Sequence, residues 1–273
     1  MESSCGDKRV VPEGGEMAVL KGRFPFRLGT TSYIKPADIL PNVRFLAGLV
    51  DDVELVLFES DEISNLPEPD VVRDLHLLAD EHDLTYTVHL PLDANLGHPM
   101  EAERRRSVRK CLRVIELTSP LRPFAYVTHI LREGEQDQEA WRRAVRRSIE
   151  SLLEAGIGRR QVCVETLDYD FSLIAPVVSD CGLAVCVDVG HLLLRGEDPN
   201  TVLAQHLGRT RVVHLHGVRD GRDHLPVDVL DEVLLAEMLG LIEQADGERV
   251  VTLEVFGQDQ LFRSLVAVQE VLS

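Results

Sequence analysis

The chain has only five cysteines in 273 residues, an odd number with no CxxC pair, so neither a disulfide framework nor a Cys-rich zinc site is indicated. Three of the five sit in or beside apolar segments, where reduced buried thiols are common. No run of about 18 uncharged apolar residues exists, which argues against a membrane-spanning helix. The opening stretch MESSCGDKRVVPEGGEMAVLKGR lacks the apolar core of a secretory leader, so a cytoplasmic protein is expected. Positive charge is also short: 29 Lys and Arg stand against 46 Asp and Glu, a net charge of −17. A field of that sign repels polyanions and argues against general nucleic-acid binding. The basic runs RRRSVRK (104–110) and WRRAVRR (141–147) lie in segments of helical periodicity and read as solvated outer faces. Finally, no GxGxxG or GxxxxGK[ST] turn follows any apolar run, which removes the usual nucleotide-binding versions of an open α/β sheet.

What is present is an alternation. Short runs rich in β-branched residues occur at 26–32 (FRLGTTS), 53–59 (VELVLFE), 85–91 (TYTVHLP), 125–130 (AYVTHI), 162–167 (VCVETL), 184–191 (AVCVDVGH), 212–217 (VVHLHG) and 250–256 (VVTLEVF). Near-continuous apolar runs of this length are expected of strands buried on both faces. Between them, apolar residues recur at helical spacing, as in Trp141, Val145, Ile149, Leu152 and Leu153 before Gly156, or Val229, Val233, Leu234, Met238, Leu241 and Ile242. Eight strands alternating with about eight helices, at a repeat of roughly 32 residues, predict a single (β/α)8 TIM barrel, with a doubly wound open sheet as the alternative. Residues 24–273 form the expected barrel domain, and residues 1–23, without sustained period, are expected to be a poorly ordered tail.

In such a barrel the catalytic groups gather at the C-terminal ends of the strands. Here seven of the eight runs carry a carboxylate or imidazole at that end: Glu59, His89, His129, Glu165, Asp188 with His191, His214 with His216, and Glu254. Any one of them is ordinary as a hydrogen-bonded rim residue or a loop ion pair. Seven converging on one mouth would be left unsatisfied without a cation, whereas a divalent metal turns the same set into ligands. Imidazole mixed with carboxylate favours a borderline metal, zinc or manganese, over an all-oxygen magnesium or calcium site. No cysteine is expected at the mouth.

The ordered set Glu165, DVGH (188–191), HLHG (214–217) and Glu254 resembles the xylose isomerase-like TIM barrel (AP endonuclease 2) superfamily over roughly residues 26–272. That superfamily includes endonuclease IV-type nucleases and sugar isomerases and epimerases. The resemblance implies a metal-binding quartet of Glu165, Asp188, His214 and Glu254. By likeness to the endonuclease IV branch, it also implies a second metal at His89 and His129 with Glu165 bridging, and a third involving His191 and His224. The third departs from the branch's Asp-x-His pattern, since GRDH (221–224) places Arg222 two residues before His224 and Asp223 beside it. Within the superfamily, FRLGTTSYIKPADILPNVRFLAGLVDDVELVLFES (26–60) is most similar to the cobamide-remodelling phosphodiesterases.

The expected function is therefore hydrolysis of the phosphoribosyl phosphodiester in the nucleotide loop of a cobamide, using two or three divalent ions and a small-molecule substrate. Glu165, Glu254 and Asp223 are the expected catalytic groups. Substrate contacts are expected from Glu59, Thr30, Thr31, Ser32, Tyr33, His216 and Arg222. The alternative is a one-metal sugar isomerase or epimerase with Glu165 and Glu254 as its acid and base. An abasic-site endonuclease is a weaker third reading, because the −17 charge opposes backbone binding.

Overall fold

Each apolar run becomes a strand, because Val, Ile and Thr side chains suit a pleated surface buried on both faces. The computed structural model describes residues 19–60 and 64–273. The strands are β1 (Arg27–Thr31), β2 (Asp52–Val56), β3 (Thr85–His89), β4 (Ala125–Thr128), β5 (Val162–Glu165), β6 (Ala184–Asp188) and β7 (Thr210–Leu215), a hairpin of β8 (Gly217–Arg219) and β9 (Arg222–Leu225), and β10 (Val250–Leu253). β1 to β7 and β10 pair in parallel and close into a barrel, with β10 seated between β7 and β1. The single (β/α)8 barrel predicted from the alternation is thus the fold.

Helices cover the outside: α1 (Ile39–Leu46), α2 (Pro69–His82), α3 (Glu101–Thr118), α4 (Gln138–Leu153), α5 (Ala175–Cys181), α6 (Val189–Leu194), α7 (Pro199–His206), α8 (Glu232–Glu243) and α9 (Gln258–Val271). Their starts follow from capping: Asp137, Asp198 and Asp231 each accept hydrogen bonds from the first-turn amides of α4, α7 and α8. α4 buries Trp141, Val145, Ile149 and Leu152, the face its spacing predicts. α8 instead buries Leu235, Met238, Leu239 and Ile242 and turns Val233 out to solvent, so its apolar stripe is rotated from the expected one.

The barrel interior is graded. Ala125, Val127, Cys163, Ala184, Cys186 and Val212, alternate residues of β4 to β7, pack together as a small plug. Continuing the same inward alternation past the plug leads to Glu165, Asp188 and His214, so the site rests on a floor of small side chains.

Of the expected tail, residues 1–18 lie outside the described residues, and 19–23 correct its boundary. Leu20 is buried, Lys21 Nζ donates to the Val50 carbonyl at 2.7 Å, and the Gly22 amide donates to Asp51 Oδ1 at 2.8 Å. Asp51 Oδ2 also accepts from the Leu28 amide at 3.0 Å, so one carboxylate pins this segment to the first strand.

Candidate metal centre

β3, β4 and β5 deliver the first group. His89 ends β3, His129 follows β4 directly, and Glu165 ends β5. Both imidazoles place Nε2 at 3.2 Å from Glu165 Oε2. His89 Nδ1 donates to the Leu90 carbonyl at 2.8 Å, so in the neutral ring the Nε2 lone pair faces the carboxylate. Two lone pairs aimed at each other are repulsive, and the arrangement needs a cation or a proton between them.

β6, β7 and β10 supply the second group. Asp188 closes β6, Glu254 follows β10, and His214 Nδ1 lies 3.3 Å from Glu254 Oε2 and 3.7 Å from both Asp188 Oδ2 and Glu165 Oε2. The donor atoms of His89, His129 and Glu165 lie within 4.8 Å of one another, as do those of Asp188, His214 and Glu254, and Glu165 stands between the two sets. Imidazole and carboxylate donors at this spacing fit two divalent ions sharing Glu165.

His191 is placed by its own helix. Asp188 caps α6 by accepting the His191 amide at 2.6 Å, and His191 Nδ1 donates to the Thr166 carbonyl at 3.0 Å. Its ring nitrogen lies 3.4 Å from Glu165 Oε1, and Glu165, Asp188 and His191 form a further donor set. His224 sits elsewhere. The β8–β9 hairpin turns through Asp220 and Gly221, both at positive φ (54° and 72°), the conformation a two-residue hairpin loop requires. His224, itself at φ 50°, then brings Nε2 to 3.6 Å from Glu254 Oε1 and stacks on His216 with ring centroids 4.4 Å apart.

His216 holds this hairpin down. Its Nδ1 accepts the His224 backbone amide at 2.9 Å, so a neutral ring carries its proton on Nε2 and donates it to Asp188 at 3.3 Å. In that tautomer His216 orients Asp188 and is not a ligand. Among the described residues no donor set joins His191 to His224; His224 falls instead in a set with His216 and Glu254, a different grouping from the one the resemblance implied.

The charges respond as expected of a site built for cations. Burial opposes the charge on His89, but the Glu165 hydrogen bond and the Glu165 and Glu54 carboxylates outweigh it and push its pKa up to about 9. His224 is likewise opposed by burial and raised to about 9 by Glu254 and Asp223. In His214, too, burial is outweighed, here by Glu54, Glu254 and Glu165 among the surrounding acidic groups. Conversely, burial would raise Glu165, Asp188 and Glu254, yet the imidazoles around them hold all three below the usual carboxylate range.

The family's sequence profile, described as a xylose isomerase-like TIM barrel, matches residues 47–271. The chain belongs to the xylose isomerase-like TIM barrel family. Solved structures of similar fold include a D-tagatose 3-epimerase-like protein (TM-score 0.73, 18% identity, covering 90% of this chain and 97% of that one). Endonuclease IV from Thermus thermophilus gives 0.66 at 22% identity, covering 90% and 98%. D-psicose 3-epimerase from Clostridium cellulolyticum, solved with D-tagatose, gives 0.66 at 16% identity, covering 91% and 100%. Among curated proteins no sequence matches it.

On this xylose isomerase-like barrel, eight of the expected metal-binding residues, His89, His129, Glu165, Asp188, His191, His214, His224 and Glu254, fall in overlapping donor sets, and His216 shares one of them with His224 and Glu254. Others are placed differently. Glu59 lies beyond β2 and is engaged by Arg113 and by the Ser64 hydroxyl at 2.7 Å. Thr30 and Thr31 donate to the Leu253 and Val255 carbonyls at 2.8 and 2.7 Å, and Ser32 Oγ accepts the Val56 amide at 3.3 Å, so these buried hydroxyls bind strands together. The Tyr33 hydroxyl accepts from Asn65. Asp223 stands behind His224, its Oδ1 3.1 Å from Nδ1, and Arg222 is exposed near the hairpin tip.

Two residues were missed. Cys186 reaches the centre after all, sharing a donor set with Glu165 and His214, although burial pushes its thiol up and keeps it protonated. Glu54, 1% exposed within β2, touches His214 from below. A charged residue inside an otherwise apolar strand was the signal for Glu54, and period-two counting back from Asp188 was the signal for Cys186.

Proposed function

We propose that the chain is a metal-dependent phosphodiesterase whose substrate is the phosphoribosyl phosphodiester in the nucleotide loop of a cobamide. One observation carries the hydrolase reading: His89 and His129 both face Glu165 Oε2, a donor set additional to Asp188, His214 and Glu254. A single-metal enzyme has no use for that second set.

When bound, two divalent ions neutralise phosphate charge and lower the pKa of water at the site. His89 and His129 would hold one ion, Asp188, His214 and Glu254 the other, with Glu165 available to both. His216 keeps Asp188 aimed inward, and Asp223 fixes the His224 ring so that Nε2 faces Glu254. Arg222 is available on the hairpin to meet the anionic substrate. The cobamide assignment rests on the likeness of residues 26–60 to that phosphodiesterase family and on the net charge of −17, which suits a compact substrate better than a polynucleotide. Asn65 ties the two ends of that stretch together, donating to Tyr33 Oη while accepting the Phe58 amide at 2.6 Å.

The quartet supports a second reading. Glu165 and Glu254 approach His214 Nδ1 at 3.7 and 3.3 Å, an arrangement that also serves as an acid and base pair across a sugar carbon. Counting metals per purified chain by elemental analysis, and offering a cobamide, an abasic duplex and a panel of ketoses, decides between them. Two ions with cobamide cleavage supports the proposal, while one ion with ketose turnover overturns it.

A further inference from the structure

Glu54 lies inside the barrel with 1% exposure, and its Oε2 is 3.1 Å from His214 Nε2. Among the described residues this is the carboxylate's sole pairing, since neither oxygen has a hydrogen-bond partner of ordinary geometry. A buried carboxylate without a partner is strongly destabilising, so its place opposite His214 needs a reason. His214 is itself fully buried, and its two nitrogens face opposite ways. Nδ1 looks toward the carboxylates of Glu254, Asp188 and Glu165, while the one carboxylate paired with Nε2 among the described residues is Glu54.

The two sides differ in what they can hold. Three carboxylates converge on the Nδ1 side, and that side belongs to a donor set of metal-binding type. Glu54 belongs to no such set among the described residues, and its register neighbours on β1 and β3 are Thr31 and Thr87, neither a metal ligand of this class. A neutral imidazole has one N–H and one lone pair, and which nitrogen carries the proton is decided by the better acceptor. Neither the Glu54 oxygens nor the His214 nitrogens meet hydrogen-bond geometry as the ring stands, but the 3.1 Å approach makes Glu54 the carboxylate on the Nε2 side, and the opposite nitrogen is left for the ion. The ring is held from the side as well, by His89 at a centroid distance of 6.0 Å.

We propose that Glu54 is a positioning residue of the metal centre: it accepts the Nε2–H of His214 and so keeps the Nδ1 lone pair turned toward the ion shared by Asp188 and Glu254. This rests on a divalent ion binding that set, and it is independent of which bond the enzyme breaks. A carboxylate behind a ligating imidazole fixes the tautomer and raises the basicity of the ligating nitrogen, and removing such a partner lowers metal affinity by about 10–100-fold.

The test titrates zinc into the metal-free full-length chain in competition with a chelator, for the parent, Glu54→Ala and Glu54→Gln, with ¹⁵N shifts recorded for the His214 ring. The expected result is a loss of about 10–100-fold at one zinc site in Glu54→Ala. Glu54→Gln should retain most of the affinity, because its amide oxygen still accepts the Nε2–H. The parent ring should show a protonated Nε2 and a metal-shifted Nδ1. Parent-like affinity in Glu54→Ala, equal loss in both variants, or a parent ring protonated on Nδ1 would each overturn the proposal. Should Glu54→Ala not fold, the Gln variant and the ring shifts decide it. A parent chain that binds no zinc refutes the metal centre itself, which is a different failure.

Discussion

His89 and His129 come from adjacent strands and aim Nε2 at one and the same atom, Glu165 Oε2, each from 3.2 Å. Their rings meet edge to face at 4.9 Å, so neither can approach further without displacing the other. The geometry makes the pair a unit, useful to a cation and, where no cation sits there, dependent on a proton.

Replacing His129 tests that unit most cleanly, because its side chain is 16% exposed and lies just past the strand, whereas His89 is embedded in the barrel. His129→Ala is expected to fold normally, to hold one ion fewer per chain, and to lose phosphodiester cleavage by more than about a hundredfold, beyond the usual effect of an outer partner. Elemental analysis beside a thermal melt checks this. A full metal complement in the variant would remove His129 from the ligand set.

The same cluster predicts a pH dependence. With no ion bound, the His89 and His224 pKa values are raised to about 9 from an ordinary 6.5. A raised folded-state value means that the imidazolium stabilises the metal-free fold fully below pH about 6.5, and that this contribution is lost as pH rises through about 9. Glu165, Asp188 and Glu254 are held low and stay ionised across this window. The metal-free chain should thus melt progressively lower between pH about 6.5 and about 9. Zinc affinity should climb over the same interval, by about tenfold per pH unit for each proton displaced. A flat affinity profile would mean that the imidazoles are not the groups being displaced.

Much of this centre was legible in the sequence, for a physical reason. Parallel strands buried on both faces read as apolar runs, and a polar residue ending such a run stands out against them, which is how Glu165, Asp188, His214 and Glu254 were found. Orientation within an element is what such a run does not carry. In VELVLFE the run pattern marks the terminal Glu59, but β2 stops at Val56 and the carboxylate that meets His214 is Glu54, the third residue of the strand. Asp223 reads from spacing as a mouth residue, whereas its direction depends on positive φ angles at Asp220, Gly221 and His224, which spacing does not reveal. The hydroxyls of Thr30 and Thr31, which the run pattern places at the end of strand one, are turned to the Leu253 and Val255 carbonyls across the β1–β10 seam.

Those hydroxyls give a contrast between stability and activity. Thr31 Oγ1 donates to the Val255 carbonyl at 2.7 Å, next to Glu254, and the residue is wholly buried. Thr31→Val keeps the shape and strands the carbonyl, so it is expected to lower unfolding stability by about 1–2 kcal/mol. Metal content and KM should stay at parent values. A large rise in KM without loss of stability would return Thr31 to the substrate site.

Gly190 occupies the third position of DVGH because nothing larger fits. A Cβ there would lie 1.8 Å from His216 Cε1, and that ring both orients Asp188 and accepts the His224 amide. Gly190→Ala is expected to destabilise by about 1–3 kcal/mol and to loosen the hairpin. Gly48→Ala, with nothing within 4 Å of the added methyl, is the control and should stay within about 0.5 kcal/mol of the parent. Chemical denaturation of both variants measures the difference.

Arg222 is exposed on the hairpin that His216 fastens to the barrel through the His224 amide, two residues before His224 itself. In a chain of net charge −17, an anionic substrate gains from one well-placed positive group more than it would on a neutral surface. A hydrogen bond from a charged donor to a phosphate contributes about 1.5–3 kcal/mol, equivalent to roughly tenfold to a hundredfold in binding. Arg222→Ala should therefore raise KM for the phosphodiester by about that factor, with the ion count unchanged and kcat little affected, since the group assists binding and not bond breaking. Arg222→Lys should recover part of the loss, keeping the charge without the planar fork. The effect should shrink as salt is added, because screening weakens an exposed charge first. A variant whose KM matches the parent at low salt would show that the substrate anion is met by other groups.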